Sequence, residues 1–370
     1  MPKKEYFNQS LYTIDIGQND ITAGLGFRKT SDKFIPQTLA VFSGEVKRIY
    51  NLGARYFWIH NTGPLGCLAY ALVRRNLTAA GELDKAGCSV FYNKVAQQFN
   101  KKLNETLVEL RKELPRAVIT YVDIYSAKYS LFLKPAKYGF KDPLRVCCGH
   151  GNNKYNFDPN VLCGGKATVN GSVVVLGRSC REPSKKVVWD GVHYTDAANK
   201  VVFDLISTGK ISFKMKPLLL LQLLFFYCTM PEIAYSSPAC NFPAIINFGD
   251  SNSDTGGLSA TFGPTPPFYG ETFFHMPAGR YSDGRLIIDF IAKSFGHPFL
   301  SSYLDSLGTN YSNGVNLATA ASTIIDQNIS LSQGGYSPFF LVVQYVGSNS
   351  RALKFGKTNP CCLQDGSSNP

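Results

Sequence analysis

Charge is scarce in this sequence. Asp, Glu, Lys and Arg make up 17% of 370 residues against 44% hydrophobic, which excludes a disordered chain and leaves ample material for a sizeable core. Such a length suits one large α/β domain or two modest ones. Histidine is scarcer still, and His60, His150, His193, His275 and His297 stand at no ligand spacing from a Cys-x-x-Cys pair, so no metal centre is expected. There is no internal repeat, zinc-finger spacing, aromatic RNA-binding signature or basic stripe, so the net charge of +12 predicts a solvated basic face and no nucleic-acid partner. That charge is uneven: residues 211–370 carry 8 Lys+Arg and 9 Asp+Glu, which leaves 30 against 17 on residues 1–210. No apolar run reaches the roughly 20 residues of a comfortable membrane span, so no stable membrane partner is expected.

The longest such run, Pro217 to Cys228 (PLLLLQLLFFYC), is broken only by Gln222, and extending it through Met230 gives at most a marginal span. Lys214-Met215-Lys216 precedes it, and Ala234, Ser236 and Ser237 follow. A basic flank, a short apolar segment and a small-residue exit form the layout of a secretory signal peptide, here in mid-chain over 211–237; the plain alternative is a buried hydrophobic helix. Ten cysteines, with doublets at Cys147/Cys148 and Cys361/Cys362, and six N-x-S/T sequons (Asn8, Asn76, Asn104, Asn170, Asn310, Asn328) point to a secreted, disulfide-bonded glycoprotein. The disulfide pairings stay open.

Along the chain, Leu11 to Ile16 (LYTIDI) reads as a buried strand, Pro36 to Leu52 as a helix closed by Gly53, and Arg55 to His60 as the next strand, which makes one βαβ unit. Val95, Phe99, Leu103, Leu107, Leu110 and Leu114 mark an amphipathic helix, and Ala117 to Ile124 a further strand. Strands alternating with helices of this length imply a parallel sheet covered on both faces. Residues 127–188, rich in Gly, Asn and Cys, read as a long surface excursion, after which Thr195 caps a helix with Ala198, Val201, Val202, Leu205 and Ile206 on its inner face. In the second part, Ala244 to Phe248 is a strand running directly into Gly249-Asp250-Ser251.

A serine on a tight turn at the carboxyl end of a parallel strand stands where open α/β sheets place ligands. Its hydroxyl becomes a nucleophile only when a base takes the proton, and His193, with Asp190 three residues earlier, can supply base and orienting carboxylate. Taken singly, Gly-Asp-Ser is an ordinary turn, Asp-x-x-His a capped loop, and Asn19 a turn cap. Together they resemble the plant GDSL esterase/lipase family of SGNH hydrolases, in its early-nodulin-like and α-fucosidase-named branch. Asn247-Phe248-Gly249-Asp250-Ser251-Asn252-Ser253-Asp254-Thr255-Gly256 is similar to the first family block, Gly314-Val315-Asn316-Leu317-Ala318 opens the second, Gly17-Gln18-Asn19-Asp20 is similar to the third and Asp190-Gly191-Val192-His193 to the fifth. Gly63-Pro64-Leu65-Gly66-Cys67 and Cys147-Cys148-Gly149 also resemble the plant branch.

The resemblance implies a three-layer, flavodoxin-like α/β/α sandwich and a secreted hydrolase of carboxylic esters, extracellular or in the cell wall, acting on small-molecule, lipid or acylated-carbohydrate esters. It implies Ser251 as nucleophile, His193 as base and Asp190 as its orienting acid, with an oxyanion hole of the Ser251 N–H, the Ala321 N–H and the Asn19 amide. No organic cofactor is implied. The sequence departs from the family pattern twice. Ala321 stands where the second block carries glycine, which costs stability or access if that position needs a positive φ.

The blocks are also out of order, because residues 1–210 resemble the carboxyl-terminal part of such a hydrolase and residues 238–370 the amino-terminal part. One account is a circular permutation in which both parts complete one domain; the other is a fused gene joining the tail of one family member to the head of a tandem neighbour, and the internal signal-like segment favours the second. The pattern also stops short after Gln344-Tyr345-Val346. The rival from another class is a non-catalytic scaffold that binds cell-wall polymer through its basic first part, and a third reading anchors the enzyme in a membrane by residues 217–230.

Overall fold

The computed structural model describes residues 2–26, 30–74, 81–208 and 241–325. The signal-like run, the tail after Ile325, four of the ten cysteines and the sequons at Asn76 and Asn328 lie outside the described residues.

Apolar, β-branched and aromatic runs form the strands β1 (Leu11–Asp15), β2 (Tyr56–His60) and β3 (Val118–Val122). A small hairpin, β4 (Lys166–Val169) with β5 (Ser172–Val175), stands apart, and β6 (Ile245–Gly249) and β7 (Gly314–Asn316) complete the set. The main sheet has the order β3-β2-β1-β6-β7, and every pairing in it is parallel. Strands from both sides of residues 209–240 thus share one sheet, with β1 against β6 from Leu11 opposite Ile245 to Asp15 opposite Gly249.

Eight α-helices occur among the described residues: α1 (Gln18–Gly26), α2 (Ser31–Asn51), α3 (Ala69–Arg74), α4 (Val90–Glu113), α5 (Ile124–Leu133), α6 (Asp196–Ser207), α7 (Gly257–Phe262) and α8 (Ile287–Ser294). Phe42 of α2 and Phe99 and Leu103 of α4 close over Ile14 and Ile59 on one face of the sheet. Trp58, pointing the other way from Ile59, meets Phe295 just past α8 at 6.5 Å, and α6 packs against α5 and α8. A parallel sheet with helices on both faces is the α/β/α arrangement. No helix among the described residues is long and apolar enough to cross a membrane.

Two local expectations change. Helix α2 begins at Ser31, five residues before Pro36. Pro36 lies on the exposed face, so its missing N–H leaves only the solvent-facing Asp32 carbonyl without a helical partner. The excursion expected from residue 127 begins instead as α5, because Asp123 ends β3 and caps the helix by accepting the Ser126 N–H at 3.0 Å. Ala127, Lys128, Leu131 and Phe132 of α5 are buried. Thr195 caps α6 as its sequence position implies, accepting the Ala198 N–H at 3.1 Å. Three disulfides fix the open pairings as Cys67–Cys88, Cys147–Cys180 and Cys148–Cys163.

Candidate active site

Because the five strands are parallel, their carboxyl ends lie together, and the strand order reverses at the β1/β6 neighbour pair. Asn19 follows β1, Ser251 follows β6, and Ala321 follows β7. The Ser251 turn is tied down on all sides. The Asp250 N–H donates to the Asp15 carbonyl at 3.2 Å, the Ser253 N–H to the Asp250 carbonyl at 3.1 Å, and the Asp250 carboxylate accepts from the Asn252 N–H at 2.9 Å. Gly249 permits this fit, since a Cβ there would lie 2.3 Å from Ser253 Oγ and 2.6 Å from the Asp15 carbonyl. Neither the Ser251 hydroxyl nor its N–H makes a hydrogen bond among the described residues.

The Asp190–His193 loop is brought to the same end. His193 Nδ1 lies 2.6 Å from Asp190 Oδ2, and Asp190 Oδ1 accepts the N–H groups of Val192 (3.1 Å) and His193 (2.9 Å). Gly191, at φ +100°, makes the bend, and a Cβ there would lie 2.3 Å from the Phe157 ring. Burial works to raise the Asp190 pKa, but the charge and hydrogen bond of His193, the Tyr269 hydroxyl and the Val192 N–H outweigh it and hold the carboxyl below its usual range. His193 Nε2 carries no partner among the described residues and is the ring nitrogen left open. No hydrogen bond joins His193 to Ser251 directly. The imidazole acts electrostatically on the neighbouring Asp250, which sets the two loops side by side.

On the other flank, Asn19 Nδ2 donates to the Ser322 carbonyl at 2.9 Å, which joins the β1 loop to the loop after β7. Asp20 accepts the N–H groups of Ile324 and Ile325 at 2.9 to 3.1 Å, and Asp254 accepts that of Ala320 at 2.8 Å. Ala321 between them has φ +65°, so alanine sits in the left-handed conformation that favours glycine, and its N–H is unpaired among the described residues.

Sequence reasoning missed the support beneath these loops. Thr13 donates to Asn247, Asn247 to Asn316, and Asn316 to the Ser253 carbonyl, at 2.6 to 2.7 Å throughout. Asn247 and Asn316 lie inside the quoted blocks, and their position on strands too apolar for exposed amides was the available signal. Lys128 is buried as well; its ammonium sits 3.3 Å from Asn252 Oδ1 and 4.3 Å from the Tyr194 ring centroid, so one cation touches the neighbours of both Ser251 and His193. Burial lowers its pKa, and the charges of Asp15 and Asp250 work against that shift. Asp250 is pushed up to about 6 by burial and by the Asp15 charge. Among the described residues no cluster of His, Cys, Asp and Glu is arranged to hold a metal.

The GDSL-like Lipase/Acylhydrolase family model matches residues 1–206 and 245–356, and the chain belongs to that family. It is 54% identical over 215 residues to GDSL esterase/lipase ACHE of Zea mays, covering 57% of this chain and 54% of the relative. It is 49% identical over 212 residues to Alpha-L-fucosidase 3 of Arabidopsis thaliana (56% of each chain) and 49% identical over 221 residues to an esterase of Hevea brasiliensis (59% of this chain, 55% of the relative). The chain spans about half the length of the curated relatives it matches.

Proposed function

We propose that this chain is a serine hydrolase of carboxylic esters. Ser251 Oγ attacks the ester carbonyl while His193 Nε2 takes its proton, and Asp190 holds the imidazole in the tautomer that leaves Nε2 free. The oxyanion is met by the N–H groups of Ser251 and Ala321 and by the second amide N–H of Asn19. Collapse of the intermediate breaks the bond to the alcohol, which leaves with the proton from His193. Water then attacks the acyl-serine by the same route and releases the acid. The reading rests on one observation above the others: a buried carboxylate 2.6 Å from an imidazole, at the sheet end that also carries a serine with a free hydroxyl and N–H.

The reading takes the two parts as one working unit, supported by the β1–β6 pairing, and places the protein outside the cytosol, supported by three disulfides and by exposed sequons at Asn8, Asn170 and Asn310. The fucosidase name of one relative carries over less well. Glycoside hydrolysis needs two carboxyl groups facing each other across a sugar, whereas Asp20 and Asp250 are buried and bonded to the loops they support.

Labelling the full chain with a fluorophosphonate probe, with His193→Ala as control, tests the proposal. An adduct on Ser251 that depends on His193 is expected. Folded, soluble protein that takes no label while binding pectin in a salt-sensitive way would instead establish a non-catalytic scaffold.

A further inference from the structure

Asp190 carries more than a triad needs. Its Oδ2, which faces His193 Nδ1, also accepts a hydrogen bond from the Tyr269 hydroxyl at 2.8 Å. With the two backbone N–H groups on Oδ1, every lone-pair site of the carboxylate is occupied. Tyr269 comes from the other side of residues 209–240, 79 positions away in sequence. It is built in firmly: the Gly270 N–H after it donates to the Ser282 carbonyl at 2.8 Å, and its ring packs edge-on to Trp189 and Tyr281 within a small core that includes both disulfides of the 147/148 doublet. Burial, and then the Asp190 charge, hold its hydroxyl well above the usual phenol range, so it stays a donor.

We infer that Tyr269 is a positioning residue that tempers the basicity of His193 by sharing the Asp190 oxygen that pairs with the imidazole. The inference rests on the hydrolase reading for its purpose but not for its geometry. Two donors on one oxygen weaken each other. The tyrosine bond is therefore strongest when His193 is neutral and is eroded when it is protonated, which disfavours the imidazolium. The other groups facing the pair are Tyr281, whose ring centroid is 5.2 Å from that of His193, and Asp250, whose charge acts on the imidazole; neither bonds to Asp190. Asp190 retains three donors without the tyrosine hydroxyl, so its removal orphans no buried charge.

The test is a histidine NMR titration of the full chain, with His193 assigned by loss of its signal in His193→Gln. In Tyr269→Phe the His193 midpoint should rise by roughly half a pH unit, the amount a hydrogen bond of ordinary strength supplies, and the acid limb of kcat/KM should rise with it while KM holds. With 3-fluorotyrosine at position 269, a stronger donor of the same shape, the midpoint should fall. That second variant keeps the test sound if Tyr269→Phe folds poorly. A midpoint unmoved in both, or moved in the opposite directions, overturns the inference. The titration needs no turnover, so a failure of the hydrolase reading would be seen separately, as wild-type protein with no Ser251 adduct.

Discussion

Two loops flank Ser251, and different materials hold them. The Asp190–His193 loop has a covalent brace: the Cys147 and Cys148 N–H groups donate to the Val188 and Trp189 carbonyls just before Asp190, and disulfides tie that doublet to Cys180 and Cys163. Its carboxylate sits below the usual range. The Asn19/Ala321 flank has no disulfide among the described residues and is held by carboxylates that accept backbone N–H groups, with burial pushing Asp20 up to about 7 and raising Asp254. One flank should therefore answer to reductant and the other to pH.

The largest effect should come from the pH-sensitive flank. Asn19→Ala is expected to lower kcat on a short-chain nitrophenyl ester about 10²–10³-fold while the protein stays folded, with a small drop in melting temperature from the lost bond to the Ser322 carbonyl. Unchanged turnover would remove the amide from the oxyanion site. On the braced flank, the double change Cys147→Ser with Cys180→Ser should cost about 3 kcal/mol in urea unfolding and carry activity down with it, as reductant would in the wild type. If the unfolding free energy falls while activity and Ser251 labelling of the folded protein survive, the brace serves stability alone.

A third experiment separates the flanks by pH. Asp20 titrates at its ordinary 3.8 when unfolded and at about 7 when folded, so the folded chain holds a proton across that window and stability falls as pH rises through it, levelling above about 7. Asp250 and Asp283, each pushed to about 6 chiefly by burial, act in the same direction. Asp190 and Asp15, held low, act oppositely and only below their ordinary range. Asp20→Asn keeps an oxygen for the Ile324 and Ile325 N–H groups and loses the charge. Calorimetry at pH 5 and 8 should show the stability gap narrowing by on the order of 2 kcal/mol. The smallest effect is expected from Ala321→Gly, which relieves the left-handed alanine and should raise stability by up to about 1 kcal/mol in urea unfolding.

The parts of the candidate site that depend on near neighbours in the chain were legible in the sequence. Asp190 and His193 are three residues apart, and a glycine between them announces the bend. Strands β1, β2 and β6 were legible because apolar runs end at turn residues beside them. Helix α5 was not, because a buried lysine interrupts its apolar face and the preceding strand runs into it through Asp123 alone. Tyr269 was invisible for a different reason: its partner is 79 positions away, and no local spacing encodes that contact. Disulfide pairing is likewise a property of the folded chain and not of cysteine count.

The seam between β1 and β6 lies in the middle of the sheet, with β2 and β3 on one side and β7 on the other. A backbone cut between Thr208 and Asn241 would sever none of its ladder bonds, the Tyr269–Asp190 contact or the Asn19–Ser322 contact. On the hydrolase reading proposed above, the molecule therefore has the makings of a split enzyme: two separately encoded pieces, each with a naked central edge, that find each other through that edge and whose reunion ester cleavage would report.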